Sequence, residues 1–249
     1  MGNVGDMVEA VADSGNDTGG EPWAGGPEPE KRVSTGAQVI AAVVVVAGLA
    51  GVLWALGAGR QGADGTGPAV CDTTHGTKSA KAPSGAQLCT ALNRSDLPAL
   101  LGTPNERAVT ASGSESTSTS ADGTKTTSPE ADVDLKTYSV QLTASGDDLP
   151  VSEFARFLGS GARTTTILGH PAVLYSDRTI ALHFSLGGGK AGTGPGGIAR
   201  TLVVARDAKD GGGSFEVALW RQDLGTPDDA ALLRVAEKVL PTVPGWTAG

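Results

Sequence analysis

Three hydrophobic patterns run along the 249-residue chain. The first is an unbroken apolar run, Val39 to Gly59 (VIAAVVVVAGLAGVLWALGAG), with no charged side chain in 21 residues. About 20 apolar residues, rising about 1.5 Å each, match a hydrocarbon core of about 30 Å. A soluble helix of this length carries a polar stripe, and this run has none. It reads as a transmembrane helix over 37–59, with the bilayer as partner of 39–59. Trp54, near one end, suits the headgroup interface. A cleaved secretory signal is the competing reading, but its apolar region is shorter, about 7–15 residues, and does not follow so long a tail.

The second pattern has a period of two, and it fills the C-terminal half. Tyr138, Val140 and Leu142 alternate with polar neighbours, as do Ile180, Leu182, Phe184 and Leu186. Phe215, Val217 and Leu219 alternate with Glu216, Ala218 and Trp220. Such alternation predicts half-buried strands. TTILGHPAVLYS reads as a strand bent at Gly169–Pro171, and Asp177–Arg178 as a tight turn. IARTLVVAR reads as a further strand.

The third pattern has helical spacing. Ser84 caps a short helix carrying Leu88 and Leu92, and SDLPALLGTP predicts a second, with Asp96 or Ser95 as cap, Pro98 in its first turn and Gly102 as its stop. Ser152 caps a helix with Phe154, Phe157 and Leu158 on one face. Thr226 caps the last helix, Pro227 is its first residue, and Leu232, Val235, Ala236, Val239 and Leu240 form its apolar stripe. Pro241 ends it, and Trp246 folds back onto the core. Loops rather than helices join the later strands, so these pair antiparallel. The fold class is therefore α+β: an antiparallel sheet of about five strands, helices packed mainly on one face, preceded by one transmembrane helix.

Composition refines the ends and the gaps. Residues 1–36 hold seven acids before Lys31 and few apolar residues, a composition that predicts a disordered cytoplasmic tail. Residues 60–70 read as a linker, and 71–249 as the folded domain. Within it, 109–129 (VTASGSESTSTSADGTKTTSP) is low-complexity Ser/Thr without apolar periodicity, which predicts a long mobile loop. The net charge of −8 and the lack of a basic stripe argue against nucleic acid as a partner.

Cys71 and Cys89 are the only cysteines. Their spacing fits neither a CxxC redox pair nor a usual zinc pattern with His75, and an even count in an exported domain predicts one disulfide. Lys31 and Arg32 abut one end of the apolar run and only Arg60 the other, so the N-terminus is expected in the cytoplasm and the domain outside it.

No catalytic, cofactor or metal constellation emerges. Gly192 to Gly197 (GTGPGG) matches GxGxxG, yet a β-type run follows where a dinucleotide site needs a helix; it reads as part of a hairpin loop. His75, His170 and His183 form no HExxH and no i, i+4 pair. Ser176 and Asp177 lack a nucleophile elbow. What remains is a candidate recognition face, His183, Glu216 and Trp220, opposite the apolar positions of their strands. A bland solvated sheet face is the simpler account of the same residues.

From Cys71 to Trp246 the chain resembles an uncharacterised family of actinobacterial membrane-anchored proteins, through LPALLGTP, GHPAVLYSDRTIAL, GPGGIARTLVVARDAKDGGGSFEVALWRQD and DDAALLRVAEKVLPTVPGW. The resemblance implies an anchor and a small exported domain, and supplies no functional residues. The expected function is a non-enzymatic binding module at the cell envelope, its partner an envelope protein or a small ligand. The alternative is an extracytoplasmic hydrolase with a site near His170 or His183.

Overall fold

The computed structural model describes residues 69–73, 82–119, 123–145, 147, 149–183 and 192–247. The expected tail, the apolar run 39–59 and most of the linker lie outside them. Among the described residues no helix is long and apolar enough to cross a membrane.

The architecture is α+β, with more strands than the alternation suggested. In chain order the elements are β1 (Asp72–Thr73), α1 (Gly85–Leu92), α2 (Leu97–Leu100), β2 (Thr110–Thr119), β3 (Lys125–Asp134), β4 (Tyr138–Ser145), α3 (Val151–Leu158), β5 (Ala162–Ile167), β6 (His170–His183), β7 (Gly192–Ala205), β8 (Ser214–Arg221) and α4 (Asp229–Val239). One sheet runs in the order β1-β2-β3-β4-β8-β7-β6-β5. Seven strands pair antiparallel, and the two-residue β1 adds in parallel to β2. Two meanders, β2 to β4 and β5 to β8, therefore meet at the β4–β8 seam in mid-sheet.

The alternation sorts the two faces as expected in β4 and β8, but Ile180 of β6, expected on a half-buried face, is 38 % exposed, and Phe184 and Leu186 lie outside the described residues. Val133, Val140, Leu142, Leu174, Leu202, Phe215, Val217 and Leu219 line one face with α1, α2 and α4 over them. All five residues of the α4 stripe, Leu232 to Leu240, have no exposed surface. Full burial of each such side chain stabilises by about 1.5–3 kcal/mol. On the other face α3 covers a smaller cluster, Val151, Val173, Val203 and Ala205. Helices thus pack mainly, though not only, on one face.

Several local expectations are corrected. The Ser/Thr segment 109–129 is not a loop: most of it forms the β2–β3 hairpin, with Ala111 opposite Val133 and Thr117 opposite Thr127. Its inner end is anchored by buried Ala111, Ala131 and Val133. Its outer end carries polar residues on both faces, so no apolar period marks it, while threonine suits extended backbone. Asp177–Arg178 is no turn but the interior of β6, where both residues pair with β7. The chain turns instead at Leu168–Gly169, both at positive φ (51° and 86°), as a two-residue type I′ hairpin requires. Gly192–Gly197 belongs to β7, and a bulge sets Gly196 and Gly197 against the single residue Thr179.

Helix starts differ too. Asp228, not Thr226, caps α4 through the Ala230 amide. Pro150 precedes α3, and Ser152 lies inside it. The first amides of α3 are capped from afar: the Asp210 carboxylate accepts from Val151 N at 2.7 Å and from Ser152 N at 2.9 Å. Phe154 and Leu158 pack inward from α3, but Phe157 is 52 % exposed. Ser84 caps α1 and Cys71 and Cys89 form a disulfide, as expected, and the structure adds Gln87, whose side chain completes a capping box with Ser84. Trp246 does fold back: it stacks on His170 at 3.9 Å between ring centres.

Candidate functional site: the polar face of the sheet

Strand register assembles three rows of side chains across the face opposite the main core. One is Glu130, Thr143, Glu216, Val203 and Val173; the next is Asp132, Gln141, Ala218, Thr201 and Tyr175; the third is Asp134, Ser139, Trp220, Ala199 and Asp177. Helix α3 covers the apolar end of these rows, on β6 and β7. No described helix packs over the Glu130–Asp132–Gln141–Glu216 end.

The middle of the rows forms a hollow of about 40 Å³ bordered by Gln141, Tyr175, Asp177, Thr201, Glu216 and Trp220. Thr179, Ala199, Ala218 and the exposed Arg178 complete the rim. Glu216 is pushed up to about 7, first by burial, then by the negative charges of Glu130 and Asp177. Burial also raises Glu130, against opposing hydrogen bonds from Asp132 and Gln141. Asp132 lies well above the usual carboxylate range, again through burial and then through Glu130. Its Oδ1 accepts from Gln141 Nε2 at 3.2 Å. Burial lifts the Tyr175 phenol as well, with Glu216 and Asp177 adding to it.

Each upward shift says that the neighbours of a group disfavour its negative charge. No hydrogen bond to Glu216 from another described residue offsets this. Among the described residues the ion pairs are Arg94–Asp96, Arg163–Asp229, Arg200–Asp229 and Arg221–Asp223, and none involves Glu130, Asp132, Asp177 or Glu216. The arrangement is a crowd of carboxyls with Tyr175 and Trp220 beside it and Arg178 on the rim, and no ion pair reaches these carboxyls among the described residues. No three of His, Cys, Asp or Glu converge as metal ligands among the described residues.

The sequence-derived face is brought together in part. Glu216 and Trp220 border one hollow. His183 pairs with Gly192, seven positions along β7 from the Ala199 that faces Trp220. At about 3.3 Å per residue that separates it by roughly 23 Å along the strand. His170 lies under Trp246 with no exposed surface, its Nδ1 2.8 Å from the Ala205 carbonyl oxygen. A side chain so enclosed has no access to a substrate. Glu130, Asp132, Gln141, Tyr175 and Thr201 went unmarked in the sequence, although the alternation in PEADVD does place Glu130, Asp132 and Asp134 on one face.

A described family of sequences matches residues 30–161, just over half of the chain. The chain belongs to DUF6215, a family of unknown function. The DUF6215 match takes in the apolar run 39–59 and the elements from β1 to α3. It therefore contains Glu130, Asp132 and Gln141, while Tyr175, Glu216 and Trp220 come from the strands beyond it. No curated protein matches the chain, and no solved structure does.

Proposed function

We propose that this DUF6215 protein is a membrane-anchored, extracytoplasmic binding module, non-enzymatic, that recognises its partner through the polar face around Glu216 and Trp220. The observation that carries the reading is the hollow between Tyr175, Glu216 and Trp220 on a sheet face where, among the described residues, the covering helix α3 lies at the other end. An aromatic pair beside polar groups is a common composition for a recognition surface. The apolar run 39–59 supports an anchor. The Cys71–Cys89 disulfide and the Lys31–Arg32 pair both favour the domain outside the cytoplasm. The partner is an envelope protein or a small ligand.

Intact cells treated with a membrane-impermeant amine cross-linker test the reading. Lys136 and Lys209 are exposed on the domain. Modification of both lysines, with an envelope protein joined to one of them, is the predicted result. Modification only after the cells are lysed would overturn the topology.

A further inference from the structure

Six large apolar side chains are exposed among the described residues, and four of them, Val70, Val109, Ile180 and Leu224, stand at one end of the sheet. Strand register places them there. At that end Arg221 pairs with Tyr138, and Ile198, one residue out from the Ala199–Trp220 pair, faces Arg178. Val109 is one residue out from Thr110, the partner of Asp134, and its amide donates to the Asp134 carbonyl at 2.7 Å. Val70 lies two residues before Asp72, the partner of Ser112. Leu224 follows the end of β8, and Ile180 lies two residues beyond Arg178 on β6. Of the other two, Leu168 turns the chain at the opposite end and Phe157 is on α3.

Their spread decides what covers them. β1 and β6 stand six strand spacings apart in the sheet order, about 29 Å at about 4.8 Å each. A compact ligand does not span such a row, and a flat surface does. The charges at this end suit a phosphate-bearing one. Arg107, Lys136 and Arg178 are exposed, and the described ion pairs include none of them. Of the acids nearby, Glu106, Asp134 and Asp177 are half-buried, Asp223 is bonded to Arg221, and Asp228 caps α4. The chain also enters the domain at this end. The Ala69 carbonyl accepts from Asn93 Nδ2 at 2.7 Å, and the disulfide fixes Cys71. Only nine residues, 60–68, separate Ala69 from the apolar run, and fully extended they reach about 32 Å. A span in the bilayer therefore keeps this end close to the head groups, where a weak attraction acts at high effective concentration.

We infer that this end of the domain docks on the bilayer in which the chain is anchored. Val70, Val109, Ile180 and Leu224 enter the head-group layer, and Arg107, Lys136 and Arg178 pair with lipid phosphates. This rests on the reading of 39–59 as a membrane anchor. It stands the strands upright on the membrane and turns the hollow beside Glu216 and Trp220 sideways, open to a neighbouring partner. An ammonium in the head-group layer stays in contact with water, so Lys136 remains within reach of a water-soluble cross-linker.

Nitroxide labels on the full-length chain, in vesicles of phosphatidylcholine and phosphatidylglycerol in equal parts, test the inference. The native cysteines are bridged and leave no thiol to react. Val109→Cys, Leu224→Cys, Leu168→Cys and Leu49→Cys each take one label, and collisions with oxygen or with a water-soluble nickel chelate report its depth. Labels at 109 and 224 should favour oxygen, as the label at 49 does, while the label at 168 favours the chelate. Arg107→Gln combined with Arg178→Gln should lower the ratio of docked to free domain at least about tenfold. Labels at 109 and 224 that favour the chelate, with oxygen favoured at 49, overturn the inference and leave the anchor standing. A label at 49 that favours the chelate overturns the anchor reading and the docking with it. Equal lipid contact at 168 and 224, or contact that the double substitution leaves unaltered, also overturns the inference.

Discussion

Gly85 of α1 and Gly113 of β2 meet backbone against backbone. A Cβ on either one would collide with the other strand or helix: that of Gly85 with the Ser114 carbonyl oxygen, that of Gly113 with the Gly85 carbonyl oxygen. The absence of side chains lets α1 settle onto the sheet, where Leu88, Cys89 and Leu92 are fully buried. Backbone cannot move aside as a flexible side chain does, so the whole helix must lift. Gly113→Ala should cost about 1–3 kcal/mol, the usual range for overpacking. Gly161→Ala, where a Cβ meets nothing within 4 Å, is the control and should stay within about 0.5 kcal/mol. Chemical denaturation of the two variants decides it.

Asp210 should matter to α3 more than any residue of that helix's own N-terminus. It sits at φ 56° in the β7–β8 connection and holds two helix amides, Val151 and Ser152. Asp210→Ala removes both acceptors and places alanine in left-handed backbone. A loss of about 1–2 kcal/mol is the prediction. Asp210→Asn keeps one acceptor and tolerates the backbone, so it should lose less. Hydrogen exchange at the Val151 and Ser152 amides should speed up selectively in the alanine variant.

The carboxyls of the polar face set a pH dependence. Glu216 is raised from 4.5 to about 7 in the folded chain. A raised carboxyl means that the folded state binds more protons than the unfolded state between those values. Its stabilising contribution is therefore fully present below about pH 4.5 and is lost as pH rises through about 7. The upper bound is on the order of 3 kcal/mol for Glu216, and Glu130 and Asp132 act in the same direction. The melting temperature should rise as pH is lowered from 8 to 5. Glu216→Gln should flatten that slope and stabilise the domain at pH 8. A melting temperature that falls over the same range would contradict the assignment.

The disulfide ties the chain's entry into the domain to the core. Cys89 is fully buried on α1, Cys71 packs against the same cluster, and the Asn93 amide donates to the Ala69 carbonyl at 2.7 Å beside it. The bridge closes a separation of 18 residues. In the chain-entropy account this is worth about 3 kcal/mol. The paired change Cys71→Ala with Cys89→Ala should lower stability by about that amount, seen as a shifted urea midpoint with little change in slope.

Where one face was apolar and the other polar, the sequence was easy to read. Phe215, Val217 and Leu219 in β8 and Leu232 to Leu240 in α4 stand where their spacing puts them, because burial selects one side of each element. The β2–β3 hairpin escaped because register there is held by a few residues near its base, while Ser116, Thr117 and Thr127 reach past the core. The long β6 escaped because Ser176–Asp177–Arg178 has turn-like composition, and only pairing with β7 makes it strand. Glu216 and Trp220 were visible as polar positions on an alternating strand. Their companions were not: Gln141 and Tyr175 reach the same hollow only through long-range register, which local pattern does not encode.

A photo-reactive amino acid placed at Trp220, and separately at Glu237 on the exposed side of α4, tests the central claim most directly. In full-length protein in native membranes, irradiation should join a partner to position 220 and none to position 237. Equal yields at the two positions, or adducts at 237 alone, would contradict the assignment of the polar face as the recognition surface.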